Sequence, residues 1–500
     1  MNILLHSNVH LWEEHLANMV ELGLIHKKKR DKIFVLFCKG KLKACPANYH
    51  NNTELCLRCI NQQNHTISNS LKDAEIIDIK LGNKKHKLPF CKSIEEFKKI
   101  KYEILPAGKL SISTVISQKK DIYIKFNEIK KEASLIANNA INLYNFTKKI
   151  IKKNKIDIVY SWNGRRSSDG PILYAAKNSG IKYFSYISGG EAKNFKIQET
   201  LGIHNLDYTR NLIENFYKSK KKLKNYTKLG KYFYKYMRYG GKQTYGRFIY
   251  SQLFNKKNVN LKSNKKILLI FTSSYWEFFS LHDNEWAKID QFKILRKILS
   301  DGNINDKFKI IVRWHPNQRF SGEGEQKEIN KIIQNFNNAL HYDYHSKINS
   351  YKLIEKSSIV LSFGSTIGIE ATYYRKPSIC FGSAFYDKTG GVYVAKNYIT
   401  LKKILLKQLK PLPKINAIKF GYHEMKFGNI DYKNLRNDKF NRLFYKDSRL
   451  KKHTLKSKIW EVLVIFYKAN QENYIMNFIF LTYRKFRQVF LKKATFKYKI

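Results

Sequence analysis

The chain reads as an α/β protein with two Rossmann-like domains facing a cleft, followed by a basic helical C-terminal tail. Three observations predict this. Short apolar runs alternate with segments of helical period twice over, first across 3–187 and again across 267–409. Several runs end in small or polar turns, as parallel strands do when their carboxyl ends carry a ligand. The length of 500 residues exceeds what one hydrophobic core usually organises, and the 43% apolar content suffices for two cores.

The first alternation opens with a strand at 3–5, a helix at 11–24 and a second strand at 33–37. Residues 40–120 are less regular, with cysteines and loops rich in Asn and His. Apolar spacing predicts a long helix over 122–153. A strand at 156–160 then runs into the turn Trp162-Asn163-Gly164-Arg165, a helix at 171–178 and a strand at 181–187. Residues 205–255 are rich in Tyr and Lys, mostly helical, and suited to bridging the domains.

The second alternation has strands at 267–271, 308–312, 359–363 and 378–381, and helices at 289–299, 326–336 and 401–409. This divides the chain into an acceptor-side domain at 1–255, a ligand-binding domain at 256–440 and a tail at 441–500. From 451 to 500 the tail holds 12 Lys and Arg against 2 Glu, with aromatic-aliphatic clusters at 459–467 and 474–483. Each cluster is too short to span a bilayer. Two readings stand: an amphipathic helix on an anionic membrane surface, or a helix packed back on the body.

Charge and cysteines bound the partners. Lys and Arg number 94 against 39 Asp and Glu, a net charge of +55. That favours anionic partners, yet its even spread singles out none of them. Neither a secretory leader nor an apolar run of membrane-spanning length appears in the sequence, so a cytoplasmic protein with six reduced cysteines is expected, with a peripheral place on the inner membrane face as the alternative. Cys38, Cys45, Cys56 and Cys59 are spaced C-x6-C-x10-C-x2-C, which admits a structural zinc or a set of unrelated buried thiols. Cys91 and Cys380 read as core. A Walker lysine motif, a glycine fingerprint after the first strand and an Asp-x-Asp pair are all missing, which disfavours metal-dependent sugar transferases of the doubly acidic kind.

Four polar turns fall at predicted strand ends, and they point to one shared pocket for a phosphorylated ligand. Gly364, Ser365 and Thr366 offer N–H and hydroxyl donors, with Glu370 a turn further on to accept from ribose hydroxyls. The alternative is an ordinary capped strand-turn-helix. Arg313 and His315 are placed to neutralise a leaving phosphate, and Asn317 to bond it or a base. Asn163, Gly164 and Arg165 face the same cleft from the first half, with Arg165 suited to a carboxylate or phosphate. Ser273, Ser274 and Glu277 form a comparable turn, and Gln291 is a weaker candidate.

The combination Asn163-Gly164-Arg165, Ser273-Ser274, Arg313-x-His315-Pro316-Asn317 and Gly364-Ser365-Thr366-x-Gly368-x-Glu370-Ala371 resembles bacterial surface-polysaccharide and capsule biosynthesis proteins. The resemblance covers roughly residues 1–410 and is strongest over 265–385. It implies a GT-B-like fold and a Leloir glycosyltransferase. The second half is also similar to the nucleotide-sugar 2-epimerase superfamily, and the cysteine-rich segment resembles one near the start of the capsule biosynthesis proteins. By resemblance His315, Ser365 and Thr366 hold nucleotide phosphates. The acidic catalytic residues of the epimerases find no match here.

The expected reaction is therefore metal-independent sugar transfer from a nucleotide sugar to a polysaccharide or lipid-linked glycan. Basic and N–H groups would stabilise charge on the departing phosphate. His10, Glu13, Glu14 and Asp169 are the candidate bases. An epimerase or isomerase of the same fold would consume no acceptor. A basic nucleic-acid-binding protein would bind RNA or DNA in a salt-sensitive way, but the sequence holds no recognisable nucleic-acid module.

Overall fold

The computed structural model describes residues 1–8, 11–48, 52–82, 84–191, 193–218, 226–239, 261, 263–277, 279, 290–438 and 442–451. His10 and residues 452–500, which hold nearly all of the predicted basic tail, lie outside them.

The first sheet is built on β1 (Asn2–His6), β2 (Lys32–Phe37), β3 (Glu75–Asp78), β4 (Ile158–Trp162), β5 (Lys182–Ser188) and β6 (Asn194–Gln198). The strands run β3-β2-β1-β4-β5-β6, parallel except for β6. Leu4 sits between Phe34 and Val159 in register. Alternate residues feed different cores: Ile3, Leu5, Val35 and Phe37 pack in one cluster, Leu4, Phe34, Leu36 and Val159 in another. A sheet covered on both faces must be apolar on both, which is why these strands read as continuous hydrophobic runs.

The second sheet contains β7 (Lys266–Phe271), β8 (Phe308–Arg313), β9 (Ala339–Tyr342), β10 (Ile359–Ser362), β11 (Ser378–Phe381) and β12 (Tyr393–Ala395). Its order is β9-β8-β7-β10-β11-β12, all parallel. Again the two faces separate, with Leu268, Ile270 and Leu361 in one cluster and Ile267, Leu269 and Val360 in the other. Both sheets reverse direction beside their first strand, so a switch point lies between β1 and β4 and another between β7 and β10. Ligands sit at such points, beyond the carboxyl ends of the strands.

Several expectations need correction. The strand expected at 156–160 runs from Ile158 to Trp162, so Trp162 closes the strand and the turn begins at Asn163. The irregular stretch 40–120 contains the helices Thr53–Ser70 and Ala107–Lys119 as well as β3. The helices Leu206–Lys218 and Tyr226–Tyr239, assigned to the first domain, pack on the second lobe. Ile213, Phe233 and Tyr234 share a core with Ile369, Cys380 and Phe420. The buried Arg210–Asp387 ion pair fastens the first of these helices there.

The chain also re-enters the first lobe inside the stretch divided between second domain and tail. A short strand β13 (Ile430–Asp431) pairs antiparallel with β6, and Leu435, Leu443 and Leu450 bury in the first core. The buried Glu21 carboxylate accepts from the amides of Lys433, Asn434 and Leu435, which fixes this returning segment.

Between the helices Ala107–Lys119 and Phe126–Lys153, residues 120–123 meet the second lobe. Gly322 N–H donates to the Lys120 carbonyl at 2.8 Å, Gly324 N–H to Asp121 Oδ2 at 2.7 Å, and Tyr123 O–H to Asp290 Oδ1 at 2.9 Å. Among the described residues no helix is long and apolar enough to cross a membrane.

Candidate active site

β8 ends in a bend that Pro316 fixes and Gln318 organises. The His315 N–H donates to Thr272 Oγ1 and to Gln318 Oε1, each at 2.8 Å, and Thr272 O–H donates to the same Gln318 oxygen at 2.7 Å. Asn317 N–H donates to His315 Nδ1 at 3.1 Å. With Nδ1 accepting, the ring hydrogen lies on Nε2. Burial, helped by nearby Arg313, pushes the imidazole down to about 4. At neutral pH His315 is thus an uncharged N–H donor, which corrects the expectation that it contributes a positive charge.

Arg313 is a second correction. Its guanidinium turns away from the turn and donates to the carbonyls of Trp314, Asp343 and Ser346. It is 4% exposed and pins the loop after β9.

The turn after β10 forms as expected in part. Gly364 has φ +81°, and a Cβ there would lie 2.7 Å from the Ser383 carbonyl, so the position requires glycine. The Gly364 N–H reaches the Cys380 sulfur. The amides of Ser365 and Thr366 have no partner among the described residues. Glu370 does not face this turn's outer side. It is 2% exposed and accepts from Thr366 O–H at 3.0 Å and from Tyr351 O–H, and burial raises its carboxyl. Both oxygens are engaged, which overturns the expectation that Glu370 receives a ribose. Thr366 for its part bonds Glu370 and does not cap the helix Ile367–Tyr373 with its side chain.

At the end of β7 the backbone of Ser273 is clamped by the buried Gln291, which accepts its N–H at 2.9 Å and donates to its carbonyl at 2.8 Å. Ser274 accepts from the amide of Glu277 through its carbonyl. Because β7 lies between β8 and β10, His315 and Thr366 follow the carboxyl ends of the two strands that flank it. They share one edge of one sheet.

The first lobe contributes the turn after β4. Asn163 and Gly164 both take positive φ, +62° and +85°, and a Cβ on Gly164 would lie 2.3 Å from the Leu201 carbonyl. Arg165 crosses to the second lobe and donates through Nη1 to the Glu277 carbonyl. The Glu277 carboxylate accepts from Asn317 Nδ2 at 3.4 Å. Burial raises the Glu277 carboxyl against the opposing pull of Arg165, Arg166 and Lys120. Turns from both lobes therefore meet in one floor.

Among the candidate bases, Glu13 is tied to the returning segment, accepting from Leu443 N–H at 3.1 Å beside Arg449. Asp169 caps the helix Gly170–Asn178, its Oδ1 accepting from the amides of Arg166 and Gly170, while Oδ2 has no partner. Burial pushes its carboxyl up to about 7.

Cys38, Cys45, Cys56 and Cys59 line one cavity of about 30 Å³. Burial raises the thiols of Cys38 and Cys45, the latter to about 12. As positioned they do not form a coordinating set: among the described residues no group of three or more His, Cys, Asp or Glu is arranged to hold a metal ion. Cys91 and Cys380 are buried in cores, as expected. A separate cavity of about 680 Å³, lined by Lys228, Lys231, Lys235, Tyr232 and Met425, includes none of the polar-turn residues.

Two doubly wound lobes with polar turns meeting at their switch points define a protein of GT-B type. Residues 181–404 match the family described as capsule polysaccharide biosynthesis protein. No curated protein matches the chain. Among solved structures it is similar to the beta Kdo 2,4 transferase KpsC of Thermosulfurimonas dismutans, at 14% identity and TM-score 0.34 over 53% of this chain and 78% of that one. It is also similar to a UDP-GlcNAc 2-epimerase from Neisseria meningitidis (12%, TM-score 0.30, 84% and 98% covered). A glycosyltransferase from Rickettsia africae is comparable (12%, TM-score 0.29, 85% and 94%).

Proposed function

We propose that the protein is a metal-independent glycosyltransferase that moves a sugar from a nucleotide-sugar donor to a growing surface polysaccharide or glycolipid. The observation that carries this reading is the joining of turns from both lobes, Arg165 to the Glu277 carbonyl and Asn317 to the Glu277 carboxylate, into one cleft floor. The match of residues 181–404 to capsule biosynthesis proteins supports the same conclusion. The six cysteines, all free, are in keeping with action in the reducing cytoplasm.

In this reading the second lobe holds the donor. The amides of Ser365 and Thr366 and the Nε2–H of His315 donate to the phosphates. Transfer joins an acceptor oxygen to the anomeric carbon and breaks that carbon's bond to the donor phosphate, where negative charge collects. Fixed neutral N–H donors stabilise that charge without the reorganisation water would need. The acceptor proton goes to a base in the first lobe. Asp169 suits this role best, having one unpartnered oxygen and a carboxyl poised at about 7.

A thermal-shift screen of UDP, CMP, GDP and their sugars identifies the donor, since a ligand of the folded state raises the melting midpoint. With that donor, His315→Ala is expected to lower kcat about 100- to 1,000-fold while the protein stays folded. Undiminished turnover would remove His315 from the site. Donor conversion without an acceptor would replace transfer by isomerisation.

A further inference from the structure

Beside Arg165, which is tied across the cleft, stands a second arginine in a different condition. Arg166 is 6% exposed, and its guanidinium carbon lies 5.4 Å from the Trp162 ring centroid. Neither its Nε nor its Nη1 has a hydrogen-bond partner, and it forms no ion pair among the described residues. Other buried arginines find oxygens for their terminal nitrogens: Arg210 in Asp387, Arg313 in the carbonyls of Trp314, Tyr342, Asp343 and Ser346, and Arg165 in the Glu277 carbonyl. A guanidinium withdrawn from water without acceptors is costly, and a ligand that supplies them removes the cost.

The neighbours share the condition. Asn8, two residues beyond β1 and 2% exposed, leaves both side-chain polar atoms unpartnered, and so do Ser168 Oγ and Asn163 Oδ1. These groups gather at the first switch point, where a ligand is expected. The turn that carries them is held in two consecutive positive-φ residues, a conformation kept where surrounding structure enforces it. Trp12, partly exposed, packs edge-on against Trp162 at 5.8 Å and offers a sugar face an apolar surface.

We propose that Arg166, braced on Trp162 beside Asn8 and Ser168, binds an oxyanion of the saccharide substrate, a carboxylate or a phosphate, in the first-lobe half of the cleft. The fork of guanidinium N–H groups matches either anion, and a ring behind it fixes its plane. The charges facing it are Arg165 and Lys120 on one side of the balance and Glu277 and Asp169 on the other. Counting Arg166 itself, three cations against two carboxyls leave the pocket on the cationic side. This inference rests on the transfer reading only for the word substrate.

Calorimetric titration of the full chain tests it with three probes: tetragalacturonate, the neutral maltotetraose, and UDP. The wild type is expected to bind tetragalacturonate at least tenfold more tightly than maltotetraose. Arg166→Gln should remove that preference and leave UDP binding unchanged if the anion is an acceptor carboxylate. If the anion is a donor phosphate, Arg166→Gln weakens UDP at least tenfold instead. Arg166→Lys, which keeps the charge and the stem on Trp162, should fall between, and an unchanged melting midpoint shows that it folds. Unaltered binding of every probe in Arg166→Gln overturns the proposal. A wild type that binds UDP but does not prefer the acidic oligosaccharide, with UDP indifferent to Arg166, overturns the subsite and leaves transfer standing. Acidic-oligosaccharide binding without any nucleotide binding keeps the subsite and removes transfer.

Discussion

His315 shows how a side chain's role is decided by what its backbone and ring are made to do. Its amide is gripped by Thr272 and Gln318 and its Nδ1 by Asn317, so the ring is oriented with its hydrogen on Nε2. The same burial ties the site to pH. The imidazole titrates near 4 when folded against an ordinary 6.5, so the unfolded chain binds more protons between those values. The stabilisation is complete above about 6.5 and is lost as pH falls towards 4. Urea midpoints measured from pH 7 to pH 4 should fall less steeply in His315→Gln than in the wild type; parallel curves would show that His315 does not titrate in this window. The bend at His315 was legible from Arg-x-His-Pro-Asn at a strand end, but the state of its ring was not, because burial is not local information. Gln318 was available from the spacing, three residues beyond the His315 cap, as in a capping box. Nothing in the sequence distinguishes Arg165 from Arg166. Only the fold reveals which one finds an oxygen.

At the scale of elements, the strands were legible because parallel strands buried on both faces are apolar throughout. The missed pieces were those whose signal comes from a partner. β12 and β13 are three and two residues long and exist through pairing with β11 and β6. The helix Thr53–Ser70 was obscured because it is polar on most of its surface and carries two of the four clustered cysteines. Among the described residues these thiols are not arranged to hold a metal ion, and the cavity they line, which Asn8 also borders, is the size of a single water. Exhaustive chelation is therefore expected to leave sugar transfer unchanged, as a turnover assay in EDTA would show; loss of transfer, restored by zinc, would contradict metal-independent chemistry. Elemental analysis decides the structural question separately. One zinc per chain means the four thiols draw together around an ion, and none means they are core side chains.

For the whole molecule, two doubly wound lobes follow from two alternations of strand and helix. The boundaries between them do not follow, because a chain that leaves a lobe and comes back looks locally like one that stays. Residues 206–239 lean on the second lobe, and residues 430–450 lie in the first. The crossing back is marked by Lys196 of β6, which bonds Glu424 at 2.8 Å. Burial alone would raise that carboxyl, but Lys196 and His423 outweigh it and hold it at about 2. This route has a consequence for dissection. A polypeptide divided once, anywhere within 240–260, yields fragments that each hold part of the same first sheet, since β13 travels with the later fragment and its partner β6 with the earlier one. Co-expressed as two pieces, they should purify as one stoichiometric complex on a single affinity tag. Ending the later piece at 429 should weaken that complex without abolishing it, since the helices at 206–239 still share a core with the later piece, making the returning segment one of two fasteners of a split chain.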